Sequence, residues 1–559
     1  MKKCDERERG GVPLPASLLV ISWWSPRRPT SPLQLLPLLL LILMLLSRVA
    51  GSFMPCDSIE NAPTTTTVGV TIPLSDQDSE YTALLSYEHC VWIDVNINFK
   101  TTRNLQQLSL DFFNVTLLHG SLWISAASTL RNLTISVRQS LFLADTAKSG
   151  VSVFARASEL GSPGPVLFAV LSVASLSWVN VTLVHSSIIA RIPESAAASL
   201  LTVGVLELGS SQGAAAVLSG ALISVHNCTI GAEAFNRTQK AAARVLSVTG
   251  FSNVNNWHVV VADSIVVVNT TTFSPQVPGV ARMLWSAAQL NGVEVVIRNS
   301  SLMASDLSGV TSALTWTSTA VLRNIRVSIE AGSVLILRSI GDVAMLTFQA
   351  PNAAASSHVN ATYAITDGSV LDLEAGSDVV FFAQSAGGDS ATHRLTNVSF
   401  VLHHSSLRVV SSGKSGGGGV AAALSFPLEA RASTLIVTGF HVAVSDSALL
   451  TISGHVTSLM NFVSPSLDAL ALISLEDVSL VVSDRSRAVV KGILSASFVA
   501  AHAKGTGTSG SPTVAMLRVR VELDTQSTAL VSGTNPSFAY VHTNAIRGGF
   551  NVSLTDVTW

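Results

Sequence analysis

Hydrophobic and polar positions alternate along much of this chain. Leu517, Val519, Val521 and Leu523 are separated by Arg518, Arg520, Glu522 and Asp524. Ile325, Val327 and Ile329 alternate in the same way with Arg326, Ser328 and Glu330. A period of two places the two sets on opposite sides of an extended backbone, so both segments predict strands with one buried face. Val259 to Val261 and Ile265 to Val268 are apolar throughout and predict strands covered on both sides. Val, Ile and Thr abound, and their branched Cβ favours strand over helix. Val166 to Val170, Ala344 to Phe348 and Ala423 to Phe426 are further strand candidates. Pro165 to Leu183 is apolar enough to suggest a membrane span, but Ser172, Ser175, Ser177, Asn180 and Thr182 within it favour two strands.

One phrase recurs from about Leu108 onward: apolar–x–apolar, two or three polar or small residues, usually including Ser, then a second apolar run. It is read in Asn114 to Ile124 around Ser121, Asn180 to Ala190 around Ser187, and Val295 to Met303 around Ser301. Further copies centre on Ser333, Ser369 and Ser406, and weaker ones on Ser140, Cys228, Ser264, Ala448, Ser486 and Ser527. From Ser264 the steps are 37, 32, 36, 37, 42, 38 and 41 residues. A repeat of this period, built from strands, predicts an all-β parallel β-helix, a solenoid of about twelve irregular units of roughly 32–47 residues. Stacked coils cover each other's strand edges, which removes the aggregation hazard of an open sheet. The Gly/Ser clusters Ser411 to Gly419 and Gly505 to Pro512 punctuate the strands as loops. Residues 52–105 fit the phrase poorly and are expected to cap the first coil, with 106–559 forming the repeat region. Asn551 to Trp559 reads as the opening of another unit, so a truncation there is expected.

The chain has 559 residues, 48% hydrophobic and 12% charged, with a net charge of −2. Such a chain can bury a large core, which excludes wholesale disorder, and no basic excess exists to neutralise nucleic-acid phosphates. Residues 1–51 read as a targeting segment. Lys2, Lys3, Arg7, Arg9, Arg27 and Arg28 precede an apolar run from Leu33 to Leu46, followed by the small residues Ala50 and Gly51. The run has the length of a signal-peptide core; an uncleaved signal anchor is the alternative. Export is supported by Asn-x-Ser/Thr acceptors at Asn114, Asn132, Asn180, Asn227, Asn236, Asn269, Asn299, Asn360, Asn397 and Asn551. Cys56 and Cys90 are placed to close a disulfide, and Cys228 stands alone.

Chemistry is sparse. Gly505, Gly507 and Gly510 match a dinucleotide fingerprint as a string, but Pro512 and a strand-like run follow where a helix is required. Gly413-Lys414-Ser415 lacks the first glycine of a phosphate loop, since Arg408 stands there. His119, His185, His226 and His404 each lie two residues before the central residue of a phrase, and Asp367, Asp446 and Asp484 hold a comparable place elsewhere. Stacked, they predict a polar turn facing water, or a surface ladder for a metal or glycan. The sequence predicts no catalytic residue, no metal site and no cofactor. β-Helices do host polysaccharide lyases and hydrolases, so a secreted or surface carbohydrate-active enzyme is the alternative to a structural or adhesive surface protein.

The phrase in Asn180 to Ile188, repeated at this pitch behind a signal-like segment, resembles the dispersed gene family of surface proteins of trypanosomes and related kinetoplastids. The likeness covers the repeats from about residue 108 to the end. It implies a membrane-associated, glycosylated surface protein with β-helical repeats and an adhesive role, whose partners are host or environmental glycans or proteins. The family gives no catalytic residues to carry over. Its members are expected to be several times longer and to end in membrane helices.

Overall fold

The computed structural model describes strands and corners between Ser52 and Leu554. Residues 1–51, 54–66, 72–81, 555–559 and the connecting stretches 146–165, 193–201, 273–279, 414–418, 426–433, 464–471 and 503–512, with some shorter ones, lie outside the description. The described residues form strands and no helix. None of them therefore belongs to a helix long and apolar enough to cross a membrane. The expected strand pairs are present, including Val166–Ser172 followed by Ser175–Val184 across the apolar stretch.

The strands coil into a parallel β-helix. Each full turn has a long strand, a tight corner, a short strand and a third strand. Among the described residues fifteen strands, most of them long, stack in chain order into one parallel sheet, from the two-residue Ser52–Phe53 to Ala545–Leu554. We call its outer surface the long face. Short strands such as Leu141–Asp145, Ser187–Ile192, Thr229–Asn236 and Ile265–Thr272 stack in parallel as a second face. The third face runs through Thr202–Ser210, Ala242–Thr249 and Val280–Ser286. Successive coils stay in register residue for residue: Val181, Ile223, Val259, Val295 and Val327 are consecutive partners. A stacked side chain therefore meets its own equivalent about 4.8 Å above and below.

The core is one continuous apolar column. Leu183, Val225, Ile297, Ile329, Leu402 and Val482 are among its buried residues. Aromatic rings fill it in two places: Tyr87, Trp92 and Phe112 near the amino end, and Trp316, Phe348 and Phe382 further along. A space of about 70 Å³ lies between them, lined by apolar side chains including Leu183, Ile230, Val261 and Leu302. Nothing in that lining would hold a water.

The segment expected to be a cap, 52–105, is described in part. From Thr82 it is coiled with the rest: Thr82–Glu88 pairs with Leu105–Phe113, Val91–Ile93 with Thr116–Leu118, and Asn96–Lys100 with Ser121–Ser125. These first coils are short. Val115 and Ser140 stack although only 25 residues apart, whereas the later coils step by 36 at Cys228–Ser264 and Ser264–Ser300. Their connections are minimal, so the 32–47 spacing misses them.

Candidate functional site

Two recurring backbone devices decide which side chains face outward. The first is the corner after each long strand. One residue there takes a left-handed conformation: Asn114 (φ 51°), Gln139 (52°), His185 (49°), Asn227 (51°), Asp263 (51°), Asn299 (45°) and His404 (47°). Asn and Asp tolerate this region because a short polar side chain compensates locally. The residue that follows turns inward: Val115, Ser140, Ser186, Cys228, Ser264, Ser300 and Ser405 are all buried. Each inner hydroxyl accepts the backbone N–H of the equivalent residue one coil earlier. Cys228 N–H donates to Ser264 Oγ at 3.1 Å, and Ser264 N–H to Ser300 Oγ at 3.1 Å. Ser140, Ser186, Ser264 and Ser300 each donate in turn to their own strand two residues back, as Ser264 does to Ala262 O at 2.6 Å. The corner N–H points away from any ladder partner, and the serine row satisfies it inside the core.

The second device is a kink within the long strands. Trp178, Gly220, Asn256, Gly292, Asn324, Asn360, Asn397, Gly439, Asp477 and Arg518 all have positive φ at one stacked position. The ladder skips this residue; Ser219 pairs with Asn255 and Ala221 with Trp257, around Gly220 and Asn256. The kink turns two successive residues outward, such as Arg323 and Asn324. The exposed amides then bond along the stack: Asn324 Nδ2 to Asn291 Oδ1 (3.0 Å), Asn360 Nδ2 to Asn324 Oδ1 (3.3 Å) and Asn397 Nδ2 to Asn360 Oδ1 (3.3 Å). Glycine at 292 and 439 is explained by contact as well as φ: an added Cβ would lie 2.8 Å from Asn256 Oδ1 and 2.9 Å from Asn397 Oδ1. Trp178 is the outlier, a bulky side chain at φ 54° that is 66% exposed. Its ring lies over Gly220, where a Cβ would be 3.0 Å from it.

The acceptor asparagines fall largely on these devices. Asn114, Asn227 and Asn299 are left-handed corner residues, and Asn360 and Asn397 are kink residues. All five are exposed, as is Asn132, while Asn180 and Asn269 are half-buried. The side chains of Asn236 and Asn551 lie outside the description. Several amides are engaged with the neighbouring coil: Asn114 with His89 Nδ1 (2.8 Å), Asn227 with His185 Nδ1 (2.7 Å), and Asn299 with Asp263 Oδ1 (2.6 Å). Asparagine at these positions has a backbone reason independent of any glycan.

The four histidines do not form one row. His185 and His404 occupy the left-handed corner. His226 is the last residue of its long strand, level with Val184 and Ala262. His119 sits at a different corner, between the strands Thr116–Leu118 and Ser121–Ser125. His89, outside the expected set, does share the corner with His185. The expected Asp residues hold that same corner, and Asp446 lies 3.6 Å from both His403 Nε2 and His404 Nδ1. The row is thus a mixed polar turn of Asn, Asp, His, Gln and Gly. Among the described residues no three His, Cys, Asp or Glu side chains converge as a metal would require. Cys90 is disulfide-bonded. Its expected partner Cys56 lies outside the described residues. Cys228 is a buried free thiol in the serine row, and burial raises its pKa.

The stack also assembles groups that lie far apart in sequence. On the second face, Arg408 Nη1 is 2.6 Å from Asp372 Oδ1 and 3.7 Å from Glu374, and Arg338 is 3.7 Å from Asp372 and 3.9 Å from Glu374. On the long face, Glu294 lies between His258 (3.1 Å) and Arg326 (3.8 Å). Arg518 binds Asp477 and Glu476 across the kink row. Near the carboxyl end a groove of about 340 Å³ is lined by Ser453, Lys491, Ser532 and the glycines at 454, 492 and 533. Inside the core, Tyr363 Oη is 2.9 Å from His358 Nε2. Burial pushes the His358 pKa down to about 3 and raises that of Tyr363.

The two outer faces differ in character. Beyond the kink, one row of the long face reads Thr134, Asn180, Leu222, His258, Glu294, Arg326, Thr362, Ser399 and His441. It is polar apart from Leu222. The middle row of the second face reads Leu118, Leu143, Ile189, Gly231, Val267, Met303 and Ile336, apolar without a break until Asp372.

No protein-family model and no curated protein matches the chain. Two solved chains align with it, the PL6 family alginate lyase AlyGC and a mutant of it. They show 10% and 9% identity and TM-scores of 0.14 and 0.12, with 87% and 89% of this chain and 100% and 98% of theirs covered. At those scores the likeness carries no argument. The fold itself defines the class, a parallel β-helix solenoid with laddered corners.

Proposed function

We propose that this chain is an exported, glycosylated cell-surface solenoid with a structural or adhesive role, binding glycans or proteins of its surroundings without turning them over. One observation carries the reading: every acceptor asparagine whose side chain is described lies exposed or half-buried on the outside of the coil. An oligosaccharide transferred there needs no rearrangement of the core. The polar long face supports the adhesive part. Trp178 stands on it, largely exposed and held in a backbone conformation that costs about 1–2 kcal/mol. An exposed, pre-positioned aromatic ring beside hydroxyl and amide rows suits the apolar face of a sugar or a protein loop. The reading agrees with what the resemblance to kinetoplastid surface proteins implies.

The test is gel mobility of the protein from its own cells before and after enzymatic removal of N-glycans. A downward shift of several glycans is expected. No shift, with the protein present, would contradict export.

The carbohydrate-active alternative has one observation in its favour, the convergence of Asp372 and Glu374 with Arg338 and Arg408 on an exposed sheet. Such chemistry needs clustered acids, or an acid with Arg or Lys, on one face. Release of new sugar ends from a polysaccharide panel, lost in Asp372→Asn or Glu374→Gln, would establish it.

A further inference from the structure

Two apolar side chains of the long face border one acceptor. In the kink row Trp178 is the bulky member among Asn, Gly, Asp and Arg, held at φ 54° and 66% exposed. Backbone strain of this kind persists where a residue has a use. In the row beyond the kink, Leu222 stands among polar residues and is 41% exposed. It is the direct partner of Asn180 in the next coil, about 4.8 Å away. Trp178 precedes Asn180 by two residues in the strand Ser175–Val184, about 6.6 Å along it, and both face outward. Gly220 gives the ring room. A Cβ there would stand 3.0 Å from Trp178 Cε3, so the ring reclines over the next coil, two residues short of Leu222.

Asn180 is also suited to carry a sugar toward that corner. It opens the acceptor Asn180-Val181-Thr182. Its Oδ1 accepts a hydrogen bond from Thr182 Oγ1 at 3.3 Å, which holds the amide plane. Its Nδ2, the atom to which a glycan is linked, makes no hydrogen bond among the described residues. At Asn227, Asn299, Asn360 and Asn397 the same atom is taken up by the neighbouring coil. Asn132 stands in the coil before Trp178, on the side away from Gly220, and the ring leans away from it.

We propose that Trp178 and Leu222 form a built-in binding site for the first N-acetylglucosamine of the chain's own glycan at Asn180. A pyranose ring presents a face of C–H bonds, and the exposed indole and the leucine offer it flat apolar surface on two sides. The covalent link supplies a high effective concentration, so a contact too weak to hold a free sugar forms within the chain. The proposal rests on the glycosylation in the preceding reading and names the sugar that Trp178 meets first. A sugar from outside finds the ring open only on chains whose Asn180 is bare.

The test is hydroxyl-radical footprinting of the full chain made in its own cells. Oxidation of Trp178 and occupancy of Asn180 are read by mass spectrometry in one digest, and the buried Trp257 reports that the fold is intact. Chains with the whole glycan, and chains trimmed by an endoglycosidase to the single N-acetylglucosamine, are both expected to oxidise at Trp178 several-fold more slowly than Asn180→Gln. Leu222→Ser is expected to lose part of this protection, and Asn132→Gln to keep all of it. Equal oxidation of glycosylated Asn180 chains and Asn180→Gln would overturn the proposal. So would protection that follows Asn132, protection that vanishes on trimming, or an Asn180 left bare on chains glycosylated elsewhere. Each of those results leaves export standing, whereas chains bare at every acceptor would overturn the preceding reading as well.

Discussion

Ser264 shows what the small polar residue of the repeat does. It accepts the N–H of Cys228 from one coil and donates to Ala262 in its own. Ser264→Ala leaves a buried N–H without an acceptor, and a loss of about 1–3 kcal/mol is expected, read as a lower urea midpoint at unchanged slope. Cys228→Ser is expected to be neutral or stabilising, because a hydroxyl replaces a weaker thiol partner for Ser186 N–H at 3.5 Å. His358 carries a pH signature. Its folded pKa, about 3, lies below the ordinary 6.5, so the unfolded chain takes up the proton first as pH falls. Stability from this group is complete above about pH 6.5 and is lost progressively toward pH 3, at up to about 1.4 kcal/mol per pH unit. His358→Leu, matching Leu322 and Leu395 in its row, should flatten that limb when unfolding is followed by denaturant titration across the range. The sequence revealed the serine row but not its register. Ser186-Ser187, Ser300-Ser301 and Ser405-Ser406 are tandem pairs, and only the left-handed residue before them decides that the first turns inward. Aligning on the second serine placed His119 and His226 beside His185 and His404.

At the scale of the element, the long strand is two strands joined by a left-handed residue. The alternation that predicts a strand breaks there, at Asn255-Asn256 and Arg323-Asn324, because both residues turn outward. Period alone therefore reads only the half beyond the kink. Asn324→Gly should be nearly neutral, since glycine adopts the conformation freely. Asn324→Val should cost about 2 kcal/mol, because a branched Cβ resists positive φ and the amide ladder to Asn291 is cut. Thermal melts of the two variants check the order. The short amino-terminal coils were invisible for a related reason. Val115 and Cys90 replace the serine, and the coils lack the long connections that give the repeat its length.

At the scale of the whole molecule, the sequence foretold the solenoid but not its outer rows. Each outer row takes one residue from each coil. Asp372 and Arg408 become neighbours only once the register is fixed. The second face sets an apolar middle row, from Leu118 to Ile336, beside a polar outermost row, from Arg191 to Glu374. The proposed function rests on export. The most direct measurement is site-by-site glycopeptide mass spectrometry of the protein from its own cells. The account predicts N-glycans on the exposed acceptors, Asn114, Asn132, Asn227, Asn299, Asn360 and Asn397 among them. Recovery of these peptides wholly unmodified would contradict it.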